Sequence, residues 1–279
     1  MLNIEKLRKK YHAAICAKVI YLKQDGQPSM ADVGNRLSVK ISKNLIKRIP
    51  HKLSQTEVSG QTAGLMVEEI TRVFLAESFS LLTHLRPGKW KFSLHNSISD
   101  FDQYSHLADL AAVIHENPSI RMALGDYLIA PDIVVGREPV PDTELDEQGA
   151  LGKSKILPQY SPLRAANAHA PTLHASISCK WTIRSDRSQN SRTEGLNLIR
   201  NRKGRTPHIA VLTGEPMPTR IASVAVGTGD IDCVYHFALH ELTEAIKETK
   251  DDAAIDSLAI MIEGRRLRDI SDLPFDLAI

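Results

Sequence analysis

Leu173-His174-Ala175-Ser176-Ile177-Ser178-Cys179-Lys180-Trp181, followed by Thr182-Ile183-Arg184-Ser185-Asp186-Arg187, is the stretch whose reading decides the fold. Strict alternation is the period of a half-buried strand. It sets Leu173, Ala175, Ile177, Cys179 and Trp181 on one face, and His174, Ser176, Ser178 and Lys180 on the other. Upstream, Ile129-Ala130-Pro131-Asp132-Ile133-Val134-Val135 is a second apolar, β-branched run whose single carboxylate is Asp132. Neighbouring strands bring Asp132 beside Lys180. Downstream, Ser191-Arg192-Thr193-Glu194-Gly195-Leu196-Asn197-Leu198-Ile199 looks helical and can return the Glu194 carboxylate to the same spot.

One lysine and several carboxylates at a strand end suit metal-assisted phosphodiester hydrolysis. Carboxylates hold Mg²⁺, the metal acidifies a bound water and screens the phosphate, and a lysine orients the water or offsets developing charge. A strand-edge lysine in a surface salt bridge gives the same pattern, and spacing alone does not choose between them.

The remaining composition sets bounds. A chain of 279 residues can form one large or two small domains with a substantial core. An apolar fraction of 42% is that of an ordinary soluble protein, and 35 Lys+Arg against 33 Asp+Glu give only +2. Such near-neutrality argues against a partner held by bulk charge but permits local basic patches beside an acidic site. Cys16, Cys179 and Cys233 are odd in number and far apart, so a disulfide framework is not expected and a reducing cytoplasm fits. The basic start (Lys6, Arg8, Lys9, Lys10) precedes too short an apolar run for a signal peptide, and no run approaches a membrane span.

Along the chain, Leu7, Tyr11, Ile15 and Val19 predict a first helix, and Ile41, Leu45 and Ile49 a second that Pro50 stops. A long helix is expected through Met66, Ile70, Val73 and Phe74, with Glu68 near its start, where a carboxylate is ordinarily a partner of the helix dipole. Residues 89–94 alternate like a strand, and Trp90 and Phe92 read as core. A helix follows over 107–114. Residues 136–171 form the least regular part, with five prolines and an acidic run, and read as a long excursion between the two site strands. Residues 208–213 read as a buried strand, 234–246 as a helix and 253–262 as another. Two decoys are set aside. Gly227-Thr228-Gly229 lacks the third glycine of a dinucleotide loop. Cys233, His236 and His240 have zinc-like spacing but no fourth ligand nearby.

The blocks LHASISCKWTIRSDR, EGLNLIRNRKGR, GTGDIDCVYHFAL and RLRDISDLP, in this order, carry a specific resemblance. Over about residue 60 to the C-terminus the chain resembles the NgoMIV-like type IIF restriction endonucleases of the PD…(D/E)xK nuclease superfamily. The first fifty residues and 136–171 match least. The resemblance implies a single restriction-endonuclease-like α/β domain over 1–279: a central mixed β-sheet flanked by helices, with an N-terminal helical part (1–58). It implies that Pro131-Asp132 is the PD element and Ser178-Cys179-Lys180 the xxK element. Ser178 stands where the general motif has an acid, and Glu194 supplies that acid from the following helix. Glu68 completes the acidic cluster, and Cys179 offers a metal only its backbone carbonyl.

Arg184, Asp186 and Arg187 match family residues that read CCGG, arginine forks suiting guanine and aspartate suiting cytosine N4. Gln61, in a glycine-flanked turn, and Arg220, after a proline-kinked approach, match residues that contact an outer G·C pair. The implied activity is Mg²⁺-dependent cleavage of double-stranded DNA at GCCGGC after the first G. The implied assembly is a homotetramer, a dimer of dimers on two sites, with a DNA methyltransferase as genetic partner. The rivals are a sequence-specific DNA-binding protein that does not cleave, and a repair nuclease of the same fold, which needs no Arg184, Asp186, Arg187 reading set.

Overall fold

The structure is a computed structural model that describes residues 2–117, 119, 122, 128–151, 158–168, 170–183, 185–227 and 229–279, with the backbone alone over 185–188. Three helices lead the chain: α1 (Ile4–Lys18), α2 (Arg36–Arg48) and α3 (Gly60–Ser80). Each starts on a side-chain cap, Asn3 accepting from Lys6 N–H, Asn35 from Leu37 and Ser38, and Ser59 from Thr62. Then come β1 (Trp90–Leu94), α4 (His106–Glu116), β2 (Ile133–Arg137), β3 (Thr172–Lys180), α5 (Ser185–Asn201), β4 (His208–Thr213), α6 (Pro218–Ala225), β5 (Cys233–His236), α7 (Leu239–Lys247), α8 (Asp252–Glu263) and β6 (Leu267–Asp269).

The six strands form one sheet in the order β1-β2-β3-β4-β5-β6. The first three pair antiparallel and the last four parallel, so the sheet is mixed, as expected. Leu7, Tyr11 and Ile15 of α1, Ile41 and Leu45 of α2 and Val67 and Phe74 of α3 join Ala175, Ile177 and Leu212 of the sheet in one apolar cluster. A smaller cluster on the other side unites Tyr104, Val134, Leu173, Leu198 and Ile209.

Two expectations about the deciding stretch change. Strand β3 is buried from Leu173 through Cys179, because α5 covers its polar face, so it is a central strand and not a half-buried one. A register shift also breaks the alternation. Val135 pairs with Ala175 but Gly136 pairs with Leu173, which leaves His174 as the extra residue of a bulge. Leu173 therefore turns into the smaller cluster, away from Ala175 and Ile177. His174 turns the opposite way, its ring edge-on to Trp90 at 4.9 Å and its Nε2 2.7 Å from the Leu277 carbonyl.

Residues 234–246 are not one helix. Cys233–His236 form β5, all four buried between β4 and β6, before α7 begins at Leu239. A short strand covered on both faces has no alternation to betray it. Cys233 and His236 are fixed in that strand while His240 lies on α7, and among the described residues no three metal-ligating side chains cluster. Trp90 is partly buried and packs against the core, edge-on to Phe79 at 5.1 Å. The 136–171 excursion is tied down where it is described: Arg164, 4% exposed, pairs with Asp142, and Val140 exchanges backbone hydrogen bonds with Leu163 and Ala165. No helix among the described residues is long and apolar enough to cross a membrane.

One ion-pair network ties the N-terminal helix to the last strand. Arg8 donates to Asp269 through Nε and Nη2, both at 2.8 Å, and to Glu241 at 2.8 and 2.6 Å. Burial works to raise the Asp269 pKa, but the Arg8 hydrogen bonds and charge, aided by Ser271, outweigh it and hold the group down to about 2. A depressed carboxylate stabilises the fold above its unfolded pKa and loses that contribution as pH falls through the folded value. The drop from 3.8 to about 2 corresponds to about 2 kcal/mol. Asp269→Asn should therefore lower the urea-unfolding free energy by about 2 kcal/mol at pH 7, with the gap to wild type closing towards pH 2. An unchanged midpoint at pH 7 refutes the assignment.

Candidate active site

The topology brings Asp132 to Lys180. Asp132 immediately precedes β2, which runs antiparallel to β3 with Ile133 opposite Ile177, so the carboxylate arrives at the C-terminal end of β3. There its Oδ2 accepts from the Cys179 N–H at 2.6 Å and from Lys180 Nζ at 3.1 Å, with Ser178 Oγ at 3.5 Å. The Ser178 hydroxyl donates more closely to Glu194 Oε2, at 3.2 Å. Glu194 is delivered by α5, which is itself anchored. Arg192 binds Asp230 at 2.6 Å, and Gly195 lies so near the Asp230 carbonyl that a Cβ there would be 2.3 Å from its oxygen. Four of the expected residues, Asp132, Ser178, Lys180 and Glu194, thus form one hydrogen-bonded group.

Glu68 enters from α3 with a side chain 9% exposed. Its Oε2 is 2.9 Å from His95 Nε2, yet off the line of a hydrogen bond, and has no hydrogen-bond partner. His95 follows β1 with φ at 53°, a left-handed conformation uncommon for its type, and its N–H donates to the Asp132 carbonyl at 3.3 Å.

The electrostatics show a surplus of negative charge. Burial pushes the Glu68 carboxyl up, Asp132 pushes it further, and His95 and Lys180 only partly oppose this. Burial also raises Glu194, with Lys180 working against the shift and Asp132 with it. Burial alone would lower Lys180, but Asp132 and Glu194 more than compensate, so it stays charged at neutral pH. The Cys179 thiol is driven well above its ordinary value by burial, Asp132 and Glu68, which keeps it protonated and unreactive.

This donor set fits a hard divalent cation. It offers carboxylate and carbonyl oxygens, among them the buried Glu68 Oε2, whose near neighbour is the His95 ring at 2.9 Å. Among the described residues no three acidic, His or Cys side chains are grouped closely enough to hold a metal ion by themselves.

The DNA-reading candidates are placed unequally. Arg184 lies outside the described residues, and Asp186 and Arg187 fall in the first turn of α5, where the backbone alone is described. Gln61 is exposed in the first turn of α3, since Ser59 caps a helix where a glycine-flanked turn was expected. Arg220 is on α6 and not on a lowered loop, because Pro218 occupies the first helical turn and Met217 the cap. Its guanidinium pairs with Asp32 and lies 4.0 Å from Glu215 Oε1. A groove of about 900 Å³ opens here, lined by Lys23, Asp32, Ile183, Gln189, Arg220 and Ser223.

Asp32, His95 and Glu215 were missed in the sequence. Asp32 sits in an aperiodic loop, accepting from its own Gly34 N–H, and His95 gives no signal beyond following a strand. Glu215 did carry a signal: a carboxylate just past a buried strand, where open α/β sheets place their ligand crevices.

The NgoMIV restriction enzyme family model matches residues 11–279. The chain is 48% identical over 260 residues, 91% of each chain, to the type II restriction enzyme NgoMIV of Neisseria gonorrhoeae. Among solved structures, a restriction endonuclease PspGI-substrate DNA complex matches with TM-score 0.30 and 11% identity, over 99% of this chain and 92% of that one. The family match begins far before residue 60 and so takes in most of α1 and all of α2. The chain belongs to the NgoMIV restriction enzyme family.

Proposed function

We propose that this type II restriction endonuclease cleaves double-stranded DNA at GCCGGC after the first G, leaving a four-base 5′ overhang, with Mg²⁺ and as a homotetramer engaging two sites. The observation that carries the reading is the convergence of Asp132, Ser178, Lys180 and Glu194 at the end of the strand that leads directly into residues 184–187. Asp132, Glu194, Glu68 and the Cys179 carbonyl would hold the ion. When bound, the ion makes a coordinated water acidic near neutrality and screens the phosphate. Lys180 keeps its proton and sets a positive charge where the phosphate oxygens gain negative charge. Asp132 fixes Lys180, and Ser178 fixes Glu194. Arg184, Asp186 and Arg187 read CCGG, and Gln61 and Arg220 the outer pair.

Incubating the protein with a plasmid and Mg²⁺ and sequencing the ends tests the whole reading. Cuts after the first G of GCCGGC support it, binding without cuts points to a non-cleaving DNA-binding protein, and cuts without a common sequence point to a repair nuclease. A cognate methyltransferase would protect the same sequence in the host.

A palindromic target requires at least a two-fold dimer. If the tetramer must hold two duplexes, a plasmid with two sites should be cut about tenfold faster than a plasmid with one, because the second site binds at high effective concentration. Equal rates, with a dimer in light scattering, contradict the tetramer.

A further inference from the structure

Glu215 is 1% exposed, and each of its carboxylate oxygens serves a different loop. Oε2 accepts from the Ile183 N–H at 2.9 Å, and Oε1 from the Met217 N–H at 3.1 Å. Ile183 immediately precedes Arg184 and the start of α5, whereas Met217 caps α6, the helix of Arg220. Ile183 and Met217 are both buried, and among the described residues no backbone carbonyl accepts from their N–H groups. The joint is tight on its other side as well. Gly214 donates to the Trp181 carbonyl at 3.0 Å, and a Cβ on Gly214 would meet the Trp181 ring at 2.5 Å. The Glu215 N–H is itself held by Thr213 Oγ1 at 3.1 Å.

We propose that Glu215 is a specificity-determining positioning residue that ties Ile183, where the chain enters α5, to the helix of Arg220, so that the inner and outer base pairs are read as one unit. The proposal rests on the reading roles given above to those segments. Two loops leaving adjacent parallel strands have no ladder between them beyond Lys180 and Thr213, apart from the one Gly214–Trp181 backbone bond. Further out, the buried carboxylate joins Ile183 to Met217. Only a group with two acceptor oxygens in this place makes both bonds at once. Glutamine keeps the shape but offers one oxygen, leaving one loop unfastened and an amide N–H₂ facing a backbone donor.

The test compares kcat/KM on GCCGGC, on ACCGGT with the outer pair changed and on GCATGC with the inner pair changed. Wild type, Glu215→Gln, Glu215→Ala and Arg220→Ala are measured with Mg²⁺, and Tm is recorded for each. The Glu215 variants are expected to lose about tenfold of the discrimination at the outer and the inner pair together, as fits one lost buried bond to a charge. Arg220→Ala should lose discrimination at the outer pair alone. A merely structural Glu215 lowers Tm and reduces all three values by one factor. That result, complete inactivity of both variants included, overturns the proposal, as does a loss confined to one pair. Should Glu215→Ala not fold, the isosteric glutamine decides. Unchanged outer discrimination in Arg220→Ala refutes the role of Arg220 and leaves the Glu215 ratios to be judged on their own.

Discussion

Lys180→Ala is expected to cut GCCGGC DNA about a thousandfold more slowly than wild type while binding it with comparable affinity and specificity, the size seen when one preorganised charge-stabilising group is removed. Lys180 is charged and held 3.1 Å from Asp132 at the end of β3. The residues proposed to read bases, Arg184, Asp186, Arg187, Arg220 and Gln61, are other side chains than the Asp132–Lys180 pair, so on the proposed reading phosphate chemistry and base recognition are separate. Asp132→Ala should be as inactive, since it removes one proposed ion ligand and also the acceptor of the Cys179 N–H. The two variants should differ in metal-free binding. Removing Asp132 relieves repulsion of the DNA phosphates and should tighten binding, whereas removing Lys180 adds to it. Gel-shift titrations without metal and single-turnover cleavage with Mg²⁺ separate the steps. Near-normal cutting by either variant sinks the assigned site, and loss of specific binding by both shows that the group is structural.

The site was legible where it depends on pattern and opaque where it depends on pairing. Asp132, Lys180 and Glu194 could be picked out because Asp132 is the one carboxylate of its β-branched run, Lys180 the one lysine at the end of an alternating strand and Glu194 the one carboxylate of 191–199, while Ser178 came from the resemblance; antiparallel pairing of β2 with β3 brings Asp132 to Lys180. The bulge at His174 could not be read, since one extra residue in a ladder is set by the register with β2, which the alternation of β3 does not contain. Strand β5 was hidden by being buried on both faces, and β6 by its three residues. The Arg8 network and the Glu215 joint join residues that only the folded chain makes neighbours. Arg8 and Asp269 are 261 positions apart.

At the outer base pair, Arg220→Ala should lose about ten- to hundredfold on GCCGGC, the cost of about 1 to 3 kcal/mol for one bidentate guanine contact, and little on ACCGGT. The structure sharpens this expectation. Arg220 lies in the first turn of α6, its guanidinium paired with Asp32 and near the buried Glu215 carboxylate, on the wall of a groove that Ile183 also lines. Asp32 meets Nη2 and Glu215 lies 4.0 Å from Nη1, and these two carboxylates hold the guanidinium on the groove wall. A third-exposed ion pair such as Asp32–Arg220 contributes little to stability, so losing it should scarcely move Tm and the effect should be on DNA. An arginine that merely clamps a phosphate behaves differently: its loss weakens GCCGGC and ACCGGT by equal factors and makes binding less dependent on salt. Measuring both sequences at several salt concentrations distinguishes these outcomes. Equal losses on the two duplexes, with a shallower salt slope, make Arg220 a backbone contact and leave the outer pair to Gln61.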